Sequence, residues 1–173
     1  AALDYMPRDE EVTIVQARVP SLANDAGTAQ VRSMVALADL TRLTTDPAGD
    51  ETSGRAHLDL TECRVASDGT RLYAALTNVS GGFPVSSGLT FFSYLLGIKD
   101  PAVADPDTLF AMIQTVNAAG IIAPGLYQIN GTGVSDLVKI GEITATVLAA
   151  QNTLLLSCSL ADLQANAIFR RWY

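Results

Sequence analysis

The sequence predicts an all-β domain, an antiparallel β-sandwich of jelly-roll-like or immunoglobulin-like type with a short C-terminal helical segment. Three observations carry that expectation. Short runs rich in Val, Ile, Leu, Thr, Tyr and Phe recur at intervals of roughly 8–15 residues, the spacing of sandwich strands. The stretches between them consist of Gly, Asp, Asn and Pro, the residues that turns demand. Helical periodicity is clear only after Ser159, where Leu160, Leu163 and Ala167 recur at helical spacing.

With 173 residues, 49% of them hydrophobic and 17% charged, the chain has the profile of a folded domain and not of a disordered one. Its length suits one domain spanning 1–173, with 1–30 as an N-terminal strand or arm. The net charge is −7, and the scattered Lys and Arg form no run longer than Arg170-Arg171. Nucleic acid and anionic membranes, which need a clustered basic surface, are therefore not expected partners. The longest apolar candidate, 89–98, falls well short of the roughly 20 residues a membrane-spanning helix needs. The opening AALDY lacks an initiator Met and a signal-peptide pattern and reads as the start of a mature or excised chain, while the apolar end at Trp172-Tyr173 suggests a longer polypeptide.

Residues 12–20 read as a strand that Pro20 ends or confines to an edge. In 31–43, Val31, Met34, Val35 and Ala38 fit a helical stripe, whereas Val35, Leu37 and Leu40 fit an extended chain; a strand or short irregular segment is expected. In HLDLTECRV (57–65), Leu58 and Leu60 share one parity and Cys63 and Val65 the other, so a β-bulge near Thr61-Glu62 is expected to switch the face. SDGT (67–70) is a hairpin turn, and 71–79 returns with Leu72, Ala74 and Leu76 inward and Tyr73 and Thr77 outward. A long turn at 80–88 leads to LTFFSYLLGIKD, apolar enough for a central strand. Further strands are expected at 108–117, 125–130, 137–149 and 153–160, with GTG (131–133) as a turn. Ser159 is a candidate N-cap for the terminal helix, with Asp162 in its first turn.

The segment DPAGDETSGRAHLDL (46–60) is the main candidate site. Ca²⁺ takes six to eight oxygens from carboxylates and carbonyls on flexible loops. Asp46, Asp50, Glu51 and Asp59 offer such carboxylates, and Gly49 and Gly54 let the backbone turn between them. The spacing is not that of an EF-hand. The competing reading is a turn capped by Asp46, with the other acids in water and Asp59 as the outward polar residue of a strand. His57 is the sole histidine and is expected on a rim, since no nucleophile elbow accompanies it. Tyr73, Phe83, Tyr94 and Trp172 are candidate ligand-binding aromatics, alongside Phe91, Phe92 and Tyr127, and Tyr73 is the preferred exposed platform. Cys63 and Cys158 are either a disulfide, closing a loop of about a hundred residues and contributing on the order of 4 kcal/mol, or two buried thiols. They are expected in neighbouring strands with inward side chains. Asn78-Val79-Ser80 and Asn130-Gly131-Thr132 match glycosylation acceptors.

The order of acidic loop, Leu-Asp-Leu strand, Asp-Gly turn and Leu-Tyr strand across 46–84, followed by PGLYQINGTGVSDLVKIGEIT and NTLLLSCSLADL, resembles the DOMON-like β-sandwich domains related to family 9 carbohydrate-binding modules. The resemblance covers about two-thirds of the chain and leaves 1–45 aside. It implies a secreted or cell-surface, noncatalytic module, often fused to other domains. Relatives that bind sugar usually do so on exposed aromatics, and here the chain departs, with a single Trp. The expected function is an extracellular binding or accessory module for a glycan. The alternative is a structural surface or filament subunit that self-associates through β-strand contacts.

Overall fold

The computed structural model describes residues 35–52, 54–80, 82–84, 92–99, 109–116, 122–131 and 134–172, with the backbone alone at 92, 115, 116, 134, 171 and 172. The expected strand at 12–20, the N-terminal arm, Phe91 and the Trp172 side chain lie outside the described residues. Strands account for 52% of what is described, which places the chain in the all-β class. They are β1 (Thr41–Thr45), β2 (Leu60–Ser67), β3 (Arg71–Asn78), β4 (Phe92–Ile98), β5 (Leu109–Val116), β6 (Gly125–Ile129), β7 (Leu137–Gly141), β8 (Ile143–Leu148) and β9 (Thr153–Ser159). They form two antiparallel sheets, ordered β1-β2-β3-β9-β8 and β4-β5-β6-β7. The described residues divide into two compact units, one built on each sheet.

In the five-stranded unit the β2–β3 hairpin turns at Asp68-Gly69, where Gly69 takes a φ of +85° that only glycine adopts without strain. The Asp68 carboxylate organises the turn. Its Oδ1 accepts from the Thr70 amide (2.8 Å), the Thr70 hydroxyl (2.8 Å) and the Arg71 amide (2.7 Å), and its Oδ2 accepts from the Tyr73 hydroxyl (2.8 Å). The bulge expected near Thr61 is present as a register slip between Leu60 and Glu62 against β3. Before β1 the chain makes a one-turn 3₁₀ helix, Leu37–Asp39, so the described part of that segment, 35–43, is neither a regular helix nor one strand.

Pairing registers put Cys63, Val65, Leu72, Ala74, Leu76, Leu154, Leu156 and Cys158 on one face of this sheet. The opposite face carries its own cluster, Ala66, Ala75 and Leu155 with Leu40, onto which Val35, Leu37, Tyr73 and Leu148 pack. β9 is therefore apolar on both faces, which explains why TLLLSCS reads as a continuous run instead of an alternation. Polar groups on the second face satisfy one another. The Thr77 and Thr153 hydroxyls lie 2.8 Å apart, and Arg71 donates to Ser157 Oγ (2.8 Å) and Thr144 Oγ1 (3.3 Å). Glu62 pairs with Arg64 and, at 3.7 Å, with Arg42.

The four-stranded unit is a meander in which Phe110 to Ile113 of β5 are all buried. One face holds Ala111, Ile113, Tyr127 and Ile129 with Leu95, Leu109, Ile122 and Leu137 around them. Among the described residues β4 is an edge strand, not the central strand its composition suggests. Apolar character reports burial of the two faces, which Tyr94 and Leu95 satisfy on opposite sides, and says nothing about hydrogen bonding on both flanks. The expected terminal helix breaks in two, α1 (Leu160–Ala165) and α2 (Phe169–Trp172). Asn166 causes the break and uses it: its Oδ1 accepts from the Ile168 amide (2.9 Å) while its Nδ2 donates to Gln128 of β6 (2.6 Å). Phe169 then packs edge-on against Phe110, with ring centroids 5.5 Å apart.

Candidate functional site

Antiparallel pairing brings three connections to one end of the five-stranded sheet: 46–59 between β1 and β2, 79–84 after β3, and 149–152 between β8 and β9. Asn78, the last residue of β3, joins them. It is 2% exposed, and its Nδ2 donates to the His57 carbonyl (3.0 Å) and the Gly82 carbonyl (2.7 Å) while its backbone amide donates to Asn152 (3.0 Å). The buried carboxamide ties two loops together, and the backbone amide of the same residue adds the third. It also removes Asn78 as a glycosylation acceptor, because its amide nitrogen is enclosed; Asn130 is exposed.

The loop 46–59 is folded on itself. The Asp46 amide donates to Thr61 O (2.9 Å), the Leu58 amide to Arg55 O (2.8 Å), and the Arg55 amide to Glu51 Oε2 (2.8 Å). Gly49, at φ +93°, aims its amide at Asp59 Oδ2 (2.7 Å), and the Asp59 carbonyl accepts from the Val79 amide (3.1 Å). Asp59 is thus the post on which the loop closes and the bridge to the next loop. It lies just before β2 and is only 6% exposed, so the outward strand position expected of it is corrected. Alternation across Leu58 and Leu60 pointed the wrong way, since Leu58 belongs to a turn.

The acidic residues do not form a ready-made cage. Among the described residues no three His, Cys, Asp or Glu side chains stand together in an arrangement that holds a metal. Glu51 leaves the expected set to cap Arg55, and Asp50 is exposed. Partial burial, followed by the charges of Asp50 and Asp59, raises the Asp46 carboxyl above its ordinary range. His57 is half-buried on the same loop, and burial and the nearby Arg55 lower its pKa against the opposing pull of Glu51.

No family model, curated protein or solved structure matches this chain.

The candidate aromatics divide between the two units. Tyr73 is no free platform, because its ring lies on the Leu40 cluster and its hydroxyl is bound to Asp68. Burial, then that hydrogen bond, pushes its pKa up to about 12. Tyr94 is 2% exposed in the four-stranded unit, and burial pushes it, too, up to about 12. Tyr127 is likewise buried, its hydroxyl donating to Ala123 O (2.7 Å). Phe83 is on the loop cluster, half-buried beside Gly82.

Cys63 and Cys158 do not form a disulfide. β3 separates their strands, Cys63 facing Leu76 and Cys158 facing Leu72. Two strand spacings and four residues along β3 put their Cα atoms roughly 16 Å apart, against about 7 Å for a disulfide. The expectation of neighbouring strands is corrected, as is the disulfide. Parity placed both residues on one face, but parity carries no information about strand order. Burial, then the Glu62 charge, pushes the Cys63 thiol up to about 11.

Asn78 and the burial of Asp59 are what sequence reasoning missed. An Asn ending a strand looks like any turn residue. The retrievable signal was the pairing of two polar residues, Asp59 and Asn78, at the facing ends of two strands whose hairpin register Asp68-Gly69 already fixes.

Proposed function

We propose that this chain is a noncatalytic extracellular module that presents the loop cluster around Asn78 to a glycan, as a binding or accessory domain of a secreted or cell-surface protein. The observation that supports this reading is the three-loop lock at Asn78. Loops carry recognition most effectively when a rigid scaffold fixes them, because little ordering is left to oppose binding. The surface they offer suits a polyhydroxylated ligand: Asp50, Arg55, Ser80, Gln151 and Asn152 are exposed, with Phe83 and His57 half-buried among the loops. Phe83 is assigned the stacking role and the polar rim the hydroxyl contacts.

The test is binding of the labelled chain to an array of polysaccharides and cell-wall glycans, repeated with Phe83→Ala. Saturable binding to one glycan class that falls at least about tenfold in the variant is expected, a loss of about 1.4 kcal/mol or more. Binding unaffected by the substitution, or none to any glycan at high chain concentration, contradicts the reading.

A second reading, a structural subunit that assembles through strand edges, is favoured by Val147. This residue is 48% exposed on β8, an edge strand among the described residues. It requires concentration-dependent association in sedimentation, which the first reading does not.

A further inference from the structure

The carboxylate of Asp59 is used on one side only. Its Oδ2 takes the Gly49 amide, whereas its Oδ1 is buried and has no hydrogen-bond donor among the described protein atoms. A buried carboxylate oxygen left in this way costs free energy that a fold rarely tolerates without a compensating partner. The loop that closes on this oxygen is rich in acid. Gly49 is held on Asp59, so the chain neighbour Asp50 follows at the same place, and the Asp46–Thr61 backbone bond sets Asp46 beside the start of β2. Acidic side chains gathered on one short loop around a buried, half-satisfied carboxylate oxygen repel one another unless a positive charge lies between them.

We infer that Asp59 Oδ1 is the anchoring ligand of a divalent-cation site that the carboxylates of Asp46 and Asp50 complete, with Ca²⁺ as the ion. Glu51, committed to the Arg55 amide, is not a ligand. The three side chains do not already converge, so binding draws the exposed Asp50 inward by side-chain rotation, the usual scale of adjustment at a binding site. Ca²⁺ fits better than Mg²⁺ or Zn²⁺. All the donors are oxygens, they sit on a loop and not in a rigid octahedral frame, and backbone carbonyls and water fill the remaining positions. Because Asp59 also accepts the Val79 amide, the ion ties the acidic loop to 79–84, so occupancy stiffens the loop cluster as a whole. The site does not depend on a glycan ligand, and either proposal stands if the other fails.

The test uses the intact chain, washed with chelator and then titrated with CaCl₂ alone, followed by calorimetry and by thermal melting. One saturable site is expected, and free Ca²⁺ at about a hundredfold over Kd should raise the midpoint by roughly 5–10 °C. MgCl₂ at the same concentration should do markedly less. Asp59→Asn, nearly isosteric, should abolish the saturable heat, and the exposed Asp50→Asn, whose folding is not at issue, should weaken binding at least about tenfold. No saturable heat in the unsubstituted chain up to several millimolar Ca²⁺ overturns the inference, since an ordered water or a proton then satisfies Asp59. Binding that survives unchanged in Asp50→Asn overturns the proposed ligand set.

Discussion

Asp68 illustrates how one side chain sets a turn. Burial pushes its carboxyl up, but the amides of Arg71 and Thr70 and the hydroxyls of Thr70 and Tyr73 outweigh that and hold it down to about 2. A folded-state pKa below the unfolded value of 3.8 means that the stabilisation is fully present above pH 4 and is lost as the pH falls through about 2. Asp68→Ala should therefore destabilise the chain by about 1–2 kcal/mol at pH 7, given the loss of several hydrogen bonds to a partly exposed charge. The difference from the unsubstituted chain should shrink steadily between pH 4 and pH 2 in denaturant titrations; a pH-independent difference would remove the charge from this explanation. The turn itself was legible, because Asp-Gly between two strand patterns has few other uses. Asp59 was not: whether an acid beside a strand points to water or inward is decided by the Gly49 amide ten residues earlier, a partner that no periodicity announces.

At the scale of elements, the hairpin, the bulge and β5 were readable because each depends on local chemistry: turn residues, a change of parity, alternation. Strand order was not, and every error about the cysteines and β4 follows from that. Close packing between elements was equally silent. Gly141 ends β7 directly against α1, where an added Cβ would lie 2.5 Å from Asp162 Oδ2 and 3.1 Å from Asp162 Cβ. Gly141→Ala is expected to cost about 1–3 kcal/mol through overpacking. Truncating the opposing side chain tests the cause. In a double-mutant cycle, Asp162→Ala should recover at least about 0.5 kcal/mol of that cost, whereas strict additivity would show that the two residues do not press on each other.

Over the whole molecule, composition and turn spacing sufficed for an all-β chain of antiparallel strands, and the two sheets have the class that was expected. Each of the two compact units among the described residues has a sheet and an apolar cluster of its own. The glycan surface and the cation site both need the loop 46–59 to be held as structure and not to be a solvated turn. Native-state amide hydrogen exchange, read residue by residue, addresses this directly. The amides of Gly49, on Asp59 Oδ2, and Val79, on the Asp59 carbonyl, should be protected well beyond neighbouring exposed amides such as Asp50, and should lose that protection together in Asp59→Ala while β5 and β6 keep theirs. Exchange at Gly49 and Val79 as fast as in an unstructured peptide would contradict the closed loop and both proposals built on it.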